Sequence, residues 1–170
     1  MRISPLIQAN AELTHGSQAL VPEVLSTRVR LARHLGQFPF PSWANTAQRC
    51  EVLTLCFEAV SQLVRMKKGS RFFVGELSEL ERQILVERHL ISRELSTNKE
   101  NTGVVISRDQ SCAIMINEEY HLRIQMVGNG FNFKRIWRSS NYVDNVILKH
   151  LDYAFASELG HLTACPPNEG

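Results

Sequence analysis

The sequence lacks most of the features that announce a function outright. Its four cysteines, Cys50, Cys56, Cys112 and Cys165, show no C-x-x-C spacing and no dense framework. They read as reduced thiols of a cytoplasmic protein, three of them in the core, which excludes a disulfide-stapled scaffold. No apolar run approaches the length of a membrane span. Met1–Leu20 is interrupted by Asn10, Glu12, His15 and Gln18, so it does not read as a signal peptide. A formal charge of +2 is too small to imply nucleic-acid binding by itself. There is no internal repeat and no low-complexity segment. No Gly-rich phosphate loop is present either, which excludes a P-loop enzyme and an ordinary protein kinase. What is left is a 170-residue chain of ordinary apolar and charged content, long enough for one domain with its own core.

Residues 1–21 read as a loosely ordered N-terminal arm, and 22–170 as the domain. Val24–Leu31 alternates as a strand does, so Arg28 and Arg30 share a face with Ser26. Two adjacent guanidiniums repel, and an apposed anion relieves that cost. Their planar forks suit phosphate oxygens. The competing reading is a solvated edge strand whose charges block aggregation. Asn45 with Gln48, and Ser78 with Glu81, form capping boxes that open two helices. In the first helix Val52, Cys56, Ala59, Val60 and Leu63 recur at helical spacing, with Cys50 and Cys56 as packing residues. The second is expected over Glu79–His89. Gly103–Ser107 and Cys112–Ile116 make a hairpin. A long helix follows over about Phe133–Leu151, its face traced by Phe133, Ile136, Trp137, Ser140, Val143, Ile147 and Leu151, and its aromatics are expected in the core. Helices on an antiparallel sheet make this an α+β fold.

The stretch with the densest chemistry is Asn117–Arg123, set between the apolar runs Cys112–Ile116 and Ile124–Val127. Glu118 and Glu119 face opposite sides if the strand continues, so one of them points into any given cleft. The bland alternative is a surface turn with a weak Glu119–Arg123 pair, worth about 0–1 kcal/mol. Three separate clusters suit one task. Arg28, Arg30 and Arg123 can hold nucleotide phosphates, a carboxylate can orient and deprotonate a nitrogen nucleophile, and the Cys165 thiolate can sit against a cationic substrate group.

In that order the motifs resemble those of the phosphagen (guanidino) kinase family. Leu25-Ser-Thr-Arg-Val-Arg is similar to its nucleotide-phosphate strand. Asn117-Glu-Glu-x-His-Leu-Arg-Ile is similar to its glutamate and arginine motif, and Thr163-x-Cys-Pro-x-Asn-x-Gly to its reactive-cysteine loop. Within the family the likeness is to the bacterial protein arginine kinases, through Val24–Arg33, Leu85–Ser92 and Asp152–Phe155 with Gly160.

The resemblance implies a glutamine-synthetase-like catalytic domain that uses ATP and Mg2+. It implies arginine side chains of proteins as substrates, and it brings a zinc-binding activator protein as a known companion of the family. Carried over, Ser26, Thr27, Arg28, Val29, Arg30 and Arg123 contact the nucleotide, and His89 lies near its base. Glu119 holds the guanidinium and accepts its proton, Glu118 supports it, and Cys165 packs against the guanidinium. No dedicated protein metal site is expected. Three positions depart from the family's pattern: Tyr120 stands where an aspartate is usual, Pro167 replaces a threonine and Glu169 an apolar residue. The ending in a loop after Cys165 is expected of a catalytic domain cut short, without the further phosphate-binding arginines. An inactive remnant that binds phosphate or phosphoarginine is the alternative. A nucleic-acid binder ranks below both, because the arginine strand has no interleaved aromatics.

Overall fold

The computed structural model of the protein describes residues 2–8, 24–98 and 100–164. Among them the elements run α1 (Ser4–Gln8), β1 (Ser26–Arg33), α2 (Thr46–Ser61), β2 (Ser70–Phe73), α3 (Glu79–Glu87) and α4 (Arg93–Thr97). They continue through β3 (Gly103–Ile106), β4 (Cys112–Ile116), β5 (Leu122–Asn129), α5 (Phe133–Leu148), β6 (Phe155–Ala156) and β7 (Gly160–His161). Five strands form one antiparallel sheet in the order β1-β5-β4-β3-β2, and β6 and β7 make a separate small ribbon.

Both capping boxes are present: the Asn45 and Ser78 side chains accept from the N–H groups of Gln48 and Glu81, whose own side chains accept in return. They start α2 and α3 where the sequence places them. The sheet is covered on both sides, but unequally. Cys112, Ile114 and Ile116 of β4, with Leu122, Ile124 and Met126 of β5, join one core with residues of α2 and α5. The alternate residues Val104, Ile106, Ala113 and Met115 join a second core with residues of α1, α3 and α4. Among the described residues this second layer covers β2, β3 and β4 and takes no residue from β1 or β5. The face of β1 and β5 on that side, from which Arg28, Arg30 and Arg123 reach out, becomes the floor of a cleft.

Three expectations are corrected. Residues 2–8, placed in the loose arm, are tied down. Ile3 and Leu6 are buried in the second core, the Leu6 carbonyl accepts from Arg88 Nη1 at 2.7 Å and Gln110 Nε2 at 2.7 Å, and Glu81 accepts from the N–H of Arg2. Cys50 is exposed, and its thiol donates to Asn101 Oδ1 at 3.2 Å; Cys56 and Cys112 are buried. The aromatics of α5 are outside the core. Ile136, Ser140, Val143 and Ile147 face the sheet, while Phe133 and Trp137 stack on each other on the exposed flank, 6.2 Å between centroids. They lie four residues apart, hence on one helix face, but that face is turned away from β5.

A buried ion pair fixes α5 across the back of β1. Arg33 Nη2 meets Asp144 Oδ2 at 2.7 Å and Arg33 Nε meets Oδ1 at 3.1 Å, the fork-to-carboxylate geometry that guanidinium favours. Gly128 permits the approach, since a Cβ there would lie 2.5 Å from Ile136 Cδ1.

Candidate functional site

The open face of β1 and β5 floors a cleft of about 420 Å³, walled by the α3–α4 connection. Register decides its content. Arg30 pairs with Gln125, Ala32 with Arg123 and Arg28 with Val127, so Arg28, Arg30, Arg123 and Gln125 all rise on one side of the sheet. Ser26 shares that parity and is exposed. Thr27 and Val29 do not: alternation sends them to the opposite face. There Val29 enters the main core. Thr27 Oγ1 donates to the Gly130 carbonyl at 2.6 Å and accepts from the Asn132 N–H at 3.0 Å, tethering the start of α5. Those two residues can offer the cleft only their backbone.

Three guanidiniums therefore converge on one open patch. The pKa of Arg30 is lowered from its ordinary value by burial first, and then by the positive charges of Arg28 and Arg123. An anion in the cleft would offset both effects.

The chain between β4 and β5 turns instead of continuing as strand. Asn117 adopts φ 57°, a left-handed conformation that asparagine tolerates better than most residues. Its Nδ2 donates to the carbonyls of Arg49 at 2.7 Å and Asn101 at 2.9 Å, which pins the turn to α2 and to the approach to β3. The strand on which their separation was expected does not continue, yet the two glutamates still point apart, through the turn rather than through alternation. Glu118 is the inward one: its Oε1 accepts from the Ser92 hydroxyl and from Arg123 Nη1 at 2.8 Å. Its Oε2 is buried without a hydrogen-bond partner among the described residues. Burial raises its pKa, the Ser92 hydrogen bond and Arg123 oppose the rise, and Glu94 and Glu119 add to it. Glu119 is the outward one, with a side chain 47% exposed and 3.5 Å from Arg123 Nη2. The weak surface pair exists, but beside a buried one that shares the same arginine.

Tyr120 is buried and lies beneath Arg123, whose Cζ is 5.1 Å from the ring centroid. A cation–π contact thus stands where the family's pattern has a carboxylate. His121 is buried, its Nδ1 accepting from the Leu35 N–H at 2.9 Å and its Nε2 3.0 Å from the Pro39 carbonyl, which identifies Nε2 as the donor. His89 lies two residues past the end of α3, at φ 58°, and borders the cleft. Cys165 lies outside the described residues. Among the described residues, no group of three or more His, Cys, Asp or Glu side chains could hold a metal ion.

Sequence reasoning missed Ser92, Glu94 and Gln125. Gln125 was accessible through parity, because it is two residues from Arg123 on the same strand. Ser92 caps α4, accepting from the Leu95 N–H at 3.0 Å while donating to Glu118. Its second bond depends on the path of the α3–α4 connection, and no spacing encodes that.

The arrangement can grip a polyanion and present a carboxylate at its edge. A sequence model described as the ATP:guanido phosphotransferase C-terminal catalytic domain matches residues 51–170. A "Protein-arginine kinase" of Pelotomaculum thermopropionicum is 41% identical over 167 residues, covering 92% of this chain and 46% of the relative. One from Desulforamulus reducens is 43% identical over 150 residues, covering 86% and 42%. The chain thus spans a little under half the length of these curated relatives. Among solved structures, the duplicated taurocyamine kinase from Schistosoma mansoni with bound transition state analog components superposes with TM-score 0.82. It is 24% identical and covers 89% of this chain and 23% of that one. A lombricine kinase superposes with TM-score 0.73 at 23% identity, covering 95% and 50%. These two likenesses speak to the fold, which is that of the guanidino kinase catalytic domain, and the family model and the relatives speak to descent. The chain belongs to the ATP:guanido phosphotransferase family.

Proposed function

We propose that the chain is part of a protein arginine kinase, which transfers the γ-phosphoryl group of ATP to arginine side chains of proteins. The observation that carries this reading is the convergence of Arg28, Arg30 and Arg123 on one open sheet face, with two glutamates attached to it through Arg123. Residues 22–170 are read as a partial catalytic domain, in a cytoplasmic bacterial protein.

The residues fit ATP. The arginines match its phosphates in charge and fork geometry, and His89 stands at the cleft edge where a base can lie against an imidazole. Magnesium travels with ATP largely on phosphate oxygens and water, so it asks little of the protein beyond a nearby carboxylate, and Glu94 borders the cleft. When bound, ATP supplies the phosphoryl group: a nitrogen–phosphorus bond forms to the guanidinium as the bond to the β,γ-bridging oxygen breaks, leaving ADP. The arginines neutralise phosphate charge and hold the chain of phosphates in line. Glu119, exposed at the rim, orients the incoming guanidinium and accepts its proton. That role is needed because an arginine guanidinium otherwise stays protonated and is a poor nucleophile. Glu118, buried behind Arg123, fixes the height of that guanidinium. The Cys165 thiolate would pack against the substrate cation and have its pKa lowered by it. An arginine-bearing protein as substrate and a zinc-binding activator as partner belong to the same reading.

The test pairs calorimetric titration of the 170-residue chain with Mg-ATP and mass spectrometry for phosphoarginine on an arginine-rich protein. Binding with transfer is the expected result for an active chain. Binding without transfer would move the reading to a phosphate-binding remnant. Absence of ATP binding would remove the function from this chain and leave its family membership in place.

A further inference from the structure

Gln125 sits in the middle of β5, 3% exposed, with both ends of its amide in use. Its Oε1 accepts from Arg30 Nε at 3.2 Å, and its Nε2 donates to the His89 carbonyl at 2.6 Å. The two partners dictate the orientation of the amide. Arginine can only donate and a carbonyl can only accept, so the flipped amide would oppose donor to donor and acceptor to acceptor. Gln125 also lies directly across the sheet from Arg30, the closest relation two strands allow.

Both partners need holding. Arg30 is one of three clustered guanidiniums, and repulsion from Arg28 and Arg123 would otherwise drive it out into water. His89 is a non-glycine residue at φ 58°, a conformation that persists when its surroundings over-determine it. One buried amide answers both needs, and among the described residues no other side chain bordering the cleft is seen to bond to β1 and to the α3–α4 connection at once.

We propose that Gln125 is a positioning residue that sets the spacing between the Arg30 guanidinium on the cleft floor and the His89 corner on its wall. It touches neither substrate and acts on bound nucleotide only through these two groups. The consequence for nucleotide rests on the reading of the cleft as an ATP site, whereas the hold on Arg30 and His89 does not.

Two substitutions separate the two bonds. Gln125→Met keeps the length of the side chain and removes both. Gln125→Glu keeps an acceptor for Arg30 and turns a second acceptor toward the His89 carbonyl. The first readout is nitrogen-detected NMR of the 170-residue chain without nucleotide. The Arg30 Nε–H should be shifted from the free-arginine position and slow to exchange. In Gln125→Met it should move toward the free position and exchange at least tenfold faster, and in Gln125→Glu it should stay held. The His89 backbone signals should move in both variants. In Mg-ATP titrations, Gln125→Met should weaken binding by about tenfold, with Gln125→Glu between it and the parent chain. An unchanged Arg30 Nε–H in a folded Gln125→Met chain would overturn the proposal, whatever the nucleotide data say. If Gln125→Met does not fold, Gln125→Glu decides through His89: unmoved His89 signals there overturn the proposal equally. Failure of the parent chain to bind Mg-ATP would sink the nucleotide reading alone, and the NMR result would still decide the role of Gln125.

Discussion

At the scale of single residues, the cleft is a problem in charge. Arg123 is shared between Glu118, buried at 2.8 Å, and Glu119, half-exposed at 3.5 Å. A polyanion entering the cleft competes with those carboxylates for the same guanidinium. Arg28→Ala and Arg123→Ala are accordingly predicted to weaken Mg-ATP binding by about tenfold to a hundredfold each, the range of one charge-assisted hydrogen bond; calorimetry reads it directly. Glu119→Gln carries the opposite expectation. It should abolish phosphoarginine formation in a transfer-competent protein while leaving ATP affinity nearly intact, because the half-exposed Glu119 holds Arg123 only loosely at 3.5 Å and the buried Glu118 keeps that guanidinium in place at 2.8 Å. Wild-type turnover in that variant would show that the assigned base is wrong.

At the scale of elements, the site depends on how β1 is held from behind. Its forward face carries the arginines, and its rear face carries Val29 in the core and Arg33 in the ion pair with Asp144. Removing one partner of a buried pair leaves the other charge unpaired, which costs about 3–5 kcal/mol. Asp144→Ala should lower stability by that amount in chemical denaturation, and a change below 1 kcal/mol would mean that the pair is solvated in practice. The β2 end has a different constraint. A Cβ on Gly69 would lie 2.4 Å from the Ile106 carbonyl oxygen, which is backbone and cannot rotate away. Gly69→Ala is expected to destabilise by about 1–3 kcal/mol, read in the same denaturation experiment.

At the scale of the whole molecule, pH should act through a buried pair of imidazoles. His34 and His121 lie 4.9 Å apart between centroids, under the loop that follows β1. Burial pushes His34 down to about 3 and His121 down to about 4, from an ordinary 6.5. Their folded-state pKa values lie below the unfolded ones, so the unfolded chain binds more protons as the solution is acidified. Their contribution is complete above about pH 6.5 and is lost progressively as pH falls toward 4. From pH 7 to pH 5 the loss should be of order 2 kcal/mol per histidine. Glu118 acts in the opposite sense, since its raised pKa favours the folded state at lower pH. Urea denaturation at pH 7 and pH 5 measures the sum. His34→Phe should flatten the dependence, and the same slope in that variant would remove His34 from the account.

Much of this protein was legible in its residues taken alone, where the cause is local. The caps at Asn45 and Ser78, the alternation that sets Arg28 beside Arg30 and the β3–β4 hairpin all follow from short-range spacing, and each is found where that spacing puts it. The family resemblance was legible for the same reason, because its motifs are short and ordered. What spacing could not decide is which face of an element meets which layer. Phe133 and Trp137 fit a helical face, yet α5 turns that face outward. Cys50 fits α2 but lies exposed on it. Residues 2–8 read as a terminus but bury Ile3 and Leu6. The same holds in the cleft. Parity along β1 and β5 was written in the sequence, but the pairing of Arg30 with Gln125, the reach of Ser92 to Glu118 and the cleft they border arise only when distant segments pack. Local periodicity chooses the side of a strand; long-range packing chooses what stands opposite it.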